Sequence, residues 1–96
     1  MADIRALHVR VGGEDGFEHT FKGRDAWALN NLLQAGERGC TPLDHPGPRW
    51  SHYVFKIRKA GVVVETVDEN HGGAYAGTHA RYVLRSAVVV VGEGRQ

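Results

Sequence analysis

The sequence predicts a single α+β domain in which three short helices lie between two β-hairpins. Three observations carry that prediction. Apolar and polar residues alternate with period two across 4–22 and again across 62–85, and a glycine-rich turn splits each stretch. Between them, apolar residues recur at helical spacing in 26–33 and 50–57. A chain of 96 residues, 42% hydrophobic and 24% charged, has the length and composition of one globular unit.

The elements follow in order. Ile4 to Val11 reads as a strand, with Leu7, Val9 and Val11 on one face. Gly12-Gly13-Glu14-Asp15-Gly16 turns the chain, because these residues tolerate positive φ. Phe17 to Lys22 returns, with Phe17, His19 and Phe21 opposite Glu18, Thr20 and Lys22. Gly23 closes this N-terminal hairpin, and residues 24–61 form the helical unit. Asp25 is expected to N-cap a first helix that runs to about Ala35 and buries Ala26, Leu29, Leu32 and Leu33, with Trp27 at the edge. Gly36 stands where such a helix stops. Thr41 before Pro42 reads as an N-cap followed by proline at the first helical position. That second helix must be short, since His45-Pro46-Gly47-Pro48 forbids its continuation.

A third helix is predicted from Pro48 or Arg49 to Gly61, turning Trp50, Val54 and Ile57 inward with Tyr53 beside them. Val62 to Val67 and His79 to Arg85 are the strands of a second hairpin, 62–85, around a loop from Glu69 to Gly77. Its returning strand sets Ala80, Tyr82 and Leu84 against His79, Arg81, Val83 and Arg85, and Val64 and Leu84 are expected to face the core. Residues 87–91 are a candidate last strand beside the N-terminal hairpin, with a frayed tail after Gly92.

Helix, short helix, helix and hairpin is the order of a winged helix-turn-helix, here with an extra N-terminal hairpin. In such a fold the last helix enters the major groove of DNA and the hairpin, or wing, lies on the backbone. The residues suit that task. No acidic residue occurs between Asp44 and Glu65, whereas Arg49, Lys56, Arg58 and Lys59 all fall there. Arg49 and Ser51 sit at the helix N-terminus, where free N–H groups and the dipole favour a phosphate. Lys56 and Lys59 are expected to meet phosphates, and Ser51, His52 or Lys56 to meet base edges. In the wing, His71, Tyr75 and Thr78 can donate to phosphate oxygens, with Arg81 just behind. Arg58 has two readings, a phosphate contact or a structural pairing with Glu65, and the second is favoured.

Phe55, and with it Tyr53, is too apolar for a phosphate-facing helix. The two either pack under the N-terminal hairpin or mark a protein interface. The alternative function is therefore a protein-interaction module without DNA binding. Because the net charge is only +1, a homodimer is expected to bind double-stranded DNA better than a monomer. The N-terminal hairpin with Ala87 to Val91 is the candidate dimer interface.

Ile57-Arg58-Lys59-Ala60-Gly61, Val64-Glu65-Thr66 and His79-Ala80-Arg81-Tyr82-Val83-Leu84 resemble segments of a family of small winged-helix proteins from bacteriophages and prophages. Its members share a helix ending L-R-K-A-G, a strand ending I-E-T and a closing strand A-R-Y-x-L. Leu32 to Gly36 and Gly39 to Leu43 also fit that family's first helix and turn. The resemblance implies a DNA-binding regulator of a phage or bacterial host.

Other chemistries find no support in the spacing. Six histidines and Cys40 form no H-x-x-x-H or C-x-x-C pair, so neither metal nor cofactor is expected. His8 with His19, and His71 with His79, are expected to face each other across the hairpins. No nucleophile elbow, P-loop or dinucleotide fingerprint is present, so no catalytic residue is assigned and the protein is not expected to be an enzyme. Cys40 reads as a small buried side chain in a reducing compartment. The apolar run Ala87 to Val91 falls far short of the roughly 20 residues that span a membrane. With no secretory signal visible, a soluble cytoplasmic protein is expected.

Overall fold

The structure is a computed structural model and describes residues 4–46, 49–72 and 77–95, the side chains of 4, 71 and 95 excepted. Its elements are β1 (Ile4–Val11), β2 (Phe17–Lys22), α1 (Gly23–Ala35), a 3-10 turn (Gly36–Arg38), α2 (Trp50–Lys59), β3 (Val64–His71), β4 (Gly77–Leu84) and β5 (Val88–Arg95). The described residues thus hold two α-helices where the sequence predicts three. The missing one is a single turn. Thr41 Oγ1 accepts the N–H groups of Leu43 and Asp44 at 3.2 and 3.0 Å, as an N-cap does, and His45 N donates to the Thr41 carbonyl at 2.9 Å. Pro46 then has no N–H to extend the ladder and biases His45 away from helical backbone, so capping succeeds and propagation fails.

Two antiparallel sheets flank the helices. In the first, of order β2-β1-β5, the alternation of β1 and β2 is realised in register: Leu7 pairs with Phe21 and Val11 with Phe17. Leu7, Val9, Val11 and Phe21 are buried. His8 stands opposite Thr20, its Nδ1 2.6 Å from the hydroxyl, while His19 stands opposite Val9, so the expected His8–His19 pair does not form. β5 continues well past Gly92. Glu93 and Gly94 pair with Leu7 and Ala6 along β1, which replaces the expected frayed tail with a sheet edge.

The second sheet is the β3–β4 hairpin, with Val64 opposite Leu84. His79 pairs with Glu69 rather than with His71. A backbone bridge joins Cys40 to Tyr82 (N–O distances 2.9 and 2.8 Å) and gives the hairpin a third, one-residue strand. That bridge explains a departure from simple alternation, because Tyr82 and Val83 are both buried. Gly39 lies against the second face so closely that a Cβ there would come within 2.9 Å of Val83 Cγ2 and 2.5 Å of the Tyr82 carbonyl oxygen.

The helices pack on the predicted faces, except that Leu33, expected in the buried stripe, is only partly buried. α1 buries Ala26, Ala28, Leu29 and Leu32, and α2 buries Trp50, Tyr53, Val54 and Ile57. The cap of α1 differs from expectation. Lys22 is the N-cap residue, and Asp25 lies in the first turn, where its carboxylate complements the dipole without capping. Rings join the layers: Trp50 stacks on Tyr82 at 6.0 Å between centroids and meets Trp27 at 5.4 Å. Trp50 Nε1 also donates to the His45 carbonyl at 2.6 Å, which fixes the irregular turn to the start of α2.

Candidate nucleic-acid interface

The burial of α2 sorts its residues into two faces. Opposite the packed side, His52, Phe55, Lys56 and Lys59 are exposed, with Ser51 and Arg58 at one border and Arg49 preceding the first turn. Side chains three and four apart share a helix face, so His52, Lys56 and Lys59 form one surface, with Phe55 beside Lys59. Of the predicted residues, His52, Lys56 and Lys59 thus share one exposed surface, with Ser51 at one border and Arg49 at the other, before the first turn. Lys56 and Lys59 form no ion pair among the described residues. The N-cap residue Arg49 makes no side-chain cap, which leaves the first N–H groups of α2 without that partner.

Arg58 is structural, with different partners from those expected. Its guanidinium donates to the Val64 carbonyl through Nε (3.0 Å) and Nη2, and Nη2 also donates to Thr66 Oγ1 at 2.8 Å. Glu65, the partner expected for it, is instead bound by Arg85 at 2.7 Å. Arg58 thus clamps the base of the wing to the last turn of α2. Glu65, the first acid after α2 in the sequence, is paired from the other strand.

The wing residues fare differently. Tyr75 lies outside the described residues. His71 ends β3, but its side chain is likewise outside them. Arg81 is not the free donor that the sequence suggests. Its Nε donates to Glu69 Oε2 at 2.6 Å, its Nη1 donates to the Arg38 carbonyl at 2.8 Å, and Asp44 stands 3.9 Å away. His79 adds a 3.1 Å contact to the same glutamate. The hydrogen bond from Arg81 holds the Glu69 carboxyl below its usual range, with His79 acting in the same sense, and Glu69 raises Arg81 in turn. The cluster joins the wing to the turn after α1.

One residue of this surface escaped the sequence. Arg24, in the first turn of α1, lies over the Trp27 ring at 4.1 Å, and its Nε donates weakly to the Tyr53 hydroxyl at 3.4 Å. Tyr53 borders Arg49 and Lys56 around α2, so this contact extends the cationic edge from a second helix. The Trp27 contact is a local i, i+3 pair within α1, whereas the Tyr53 contact exists only because α1 approaches α2.

Cys40 is fully buried, and its thiol is pushed up to about 11, chiefly by desolvation. It acts as a core residue. Among the described residues no cluster of three or more histidine, cysteine, aspartate or glutamate side chains is placed to hold a metal ion. No described helix is long and apolar enough to cross a membrane.

A packed helix with an acid-free outer face, preceded by a helix and an irregular turn and followed by a hairpin clamped to its end, defines a winged-helix domain. A family model described as "Winged helix domain" matches residues 18–94, and the chain belongs to that family. The match begins within β2, so β1 lies outside it. No curated protein and no solved structure matches the chain. Winged-helix domains are a class that typically binds DNA.

Proposed function

We propose that this domain binds double-stranded DNA as a small, non-catalytic transcriptional regulator of phage or prophage type, acting in the cytoplasm with α2 in the major groove. One observation carries the reading. The only side of α2 not packed on the domain presents Arg49, His52, Lys56 and Lys59, and no acidic side chain belongs to the segment between Asp44 and Glu65. In this arrangement Arg49, Lys56 and Lys59 meet phosphates, Ser51 and the first N–H groups receive one at the helix N-terminus, and His52 reaches base edges. Arg24 adds a backbone contact from α1. His71 and Tyr75 carry the wing's contact, with Arg81 bracing the wing from behind. The regulator assignment draws on the resemblance of 57–61, 64–66 and 79–84 to phage proteins.

The test is binding to a random-sequence 20-base-pair duplex over a salt series, read by fluorescence anisotropy. Each phosphate contact contributes about 0.9 to the slope of log K against log salt, so Lys56→Ala/Lys59→Ala is expected to flatten that slope by about 1.8. Absence of binding at low salt for the native protein removes the reading.

A second reading, contact with protein, is favoured by β5. It forms an edge of the first sheet, and Val89 and Val91 stand 60% and 52% exposed on it. A sheet edge with unpaired backbone groups and exposed valines is suited to pairing with a second copy. The resulting homodimer would present two α2 helices to paired half-sites. Sedimentation equilibrium tests it: Val89→Lys/Val91→Lys is expected to convert a dimer to a monomer, and a native protein that is monomeric at all concentrations refutes it.

A further inference from the structure

We infer that Phe55 reads the 5-methyl group of a thymine in the major groove, so that the domain prefers sites with a T·A pair beneath the middle of α2. The inference rests on the DNA-binding reading above and adds a determinant of sequence choice to it. Phe55 is 59% exposed, although it lies midway along a helix whose other large apolar side chains, Trp50, Tyr53, Val54 and Ile57, are all buried. The one structural role open to it in the sequence, packing under the N-terminal hairpin, is not filled, since the side chain stays 59% exposed. It takes no part in the ring cluster of Trp27, Trp50, Tyr53 and Tyr82, and the N-terminal hairpin does not cover it. Phe17 of that hairpin packs at Gly61, where a Cβ would come within 3.0 Å of its ring.

The surroundings identify what Phe55 meets. His52 and Lys59 are its helical neighbours at i−3 and i+4, Ser51 is at i−4, and no acid lies on that face. A ring set within a cationic surface fits a partner that is anionic at its rim and apolar at one point inside. The major groove has that form. Phosphates line its walls, and on its floor the one apolar group is the thymine methyl, a known partner of apolar side chains including phenylalanine. A mid-helix position suits the floor, whereas Arg49 and Lys59, at the ends of α2, suit the walls. His52, Lys56 and Ser51 carry polar groups at or near their ends, so among the exposed side chains of the helix Phe55 alone presents a wholly apolar end to that methyl.

The experiment selects sites for the native protein from a random-sequence duplex library, then replaces each thymine of the enriched site by uracil, one position at a time. Uracil keeps the base pair and removes only the methyl. At one position the substitution is expected to weaken binding about three- to fivefold, the effect of one buried methyl. Phe55→Ala is expected to abolish that discrimination while keeping the salt slope, and its unchanged melting temperature would show that the fold is intact. An enriched site indifferent to uracil, a discrimination that survives in Phe55→Ala, or a library that yields no enriched site despite salt-sensitive binding would each overturn the inference and leave the DNA-binding reading standing. No salt-sensitive binding at all would overturn both.

Discussion

Arg58→Ala is expected to destabilise the domain while leaving the salt dependence of DNA binding unchanged. The guanidinium donates to one backbone carbonyl, that of Val64, through two nitrogens and to the Thr66 hydroxyl at 2.8 Å. Hydrogen bonds from a charged donor contribute about 1.5–3 kcal/mol each when desolvated. Here the arginine is exposed, so water replaces much of what the variant loses. The partly buried Val64 carbonyl has less access to water, and its lost partner sets the lower bound. A total of about 1–2 kcal/mol follows, which for a domain of this size lowers the melting temperature by roughly 5–15 °C. Arg58→Lys should recover only part of the loss, because a compact ammonium cannot span both acceptors. Urea or thermal unfolding measures stability, and anisotropy over a salt series measures the phosphate count. A structural role for Arg58 is refuted if Arg58→Ala melts with the native protein and flattens the salt slope by about 0.9, since that pattern belongs to a phosphate ligand.

Three further outcomes are expected. Gly61→Ala should destabilise by about 1–2 kcal/mol in urea titration, because Gly61 has φ +104° and a new Cβ meets the Phe17 ring at 3.0 Å; Phe17→Ala in the same chain should relieve only the steric part. Stability should fall as pH rises from about 9.0 to about 11, since the raised Cys40 thiol keeps its proton in the folded state while the unfolded chain has lost it; Cys40→Ala should flatten that decline. Glu69→Gln should release Arg81 and remove a negative charge beside the wing, steepening the salt slope of DNA binding by up to about 0.9, and an unchanged slope would show that Arg81 stays bound to the Arg38 carbonyl.

The sequence alone determined the features that depend on neighbours along the chain. Period-two alternation placed β1, β2 and the β3–β4 hairpin, and helical spacing placed the buried stripes of α1 and α2, because side-chain direction follows directly from backbone periodicity. The acid-free stretch between Asp44 and Glu65 likewise made the cationic face of α2 legible, since a helix carries its own residues onto its own surface. Tertiary structure decided everything that needed a partner from elsewhere. Arg81 reads as a free cation until folding brings it to Glu69, twelve residues away, and to Arg38, forty-three away. Arg58 found a backbone carbonyl, which no side-chain pattern encodes, and Glu65 went to Arg85 from the opposite strand. The second predicted helix had a genuine cap at Thr41, but a cap fixes only where a helix begins, and Pro46 denied it the hydrogen bonds to continue. Phe55 was equally open in sequence to burial or exposure, and the arrangement of sheets around α2 left it in solvent. Local propensity is written in neighbouring residues, whereas the pairing of charges and the covering of faces are settled only when distant segments meet.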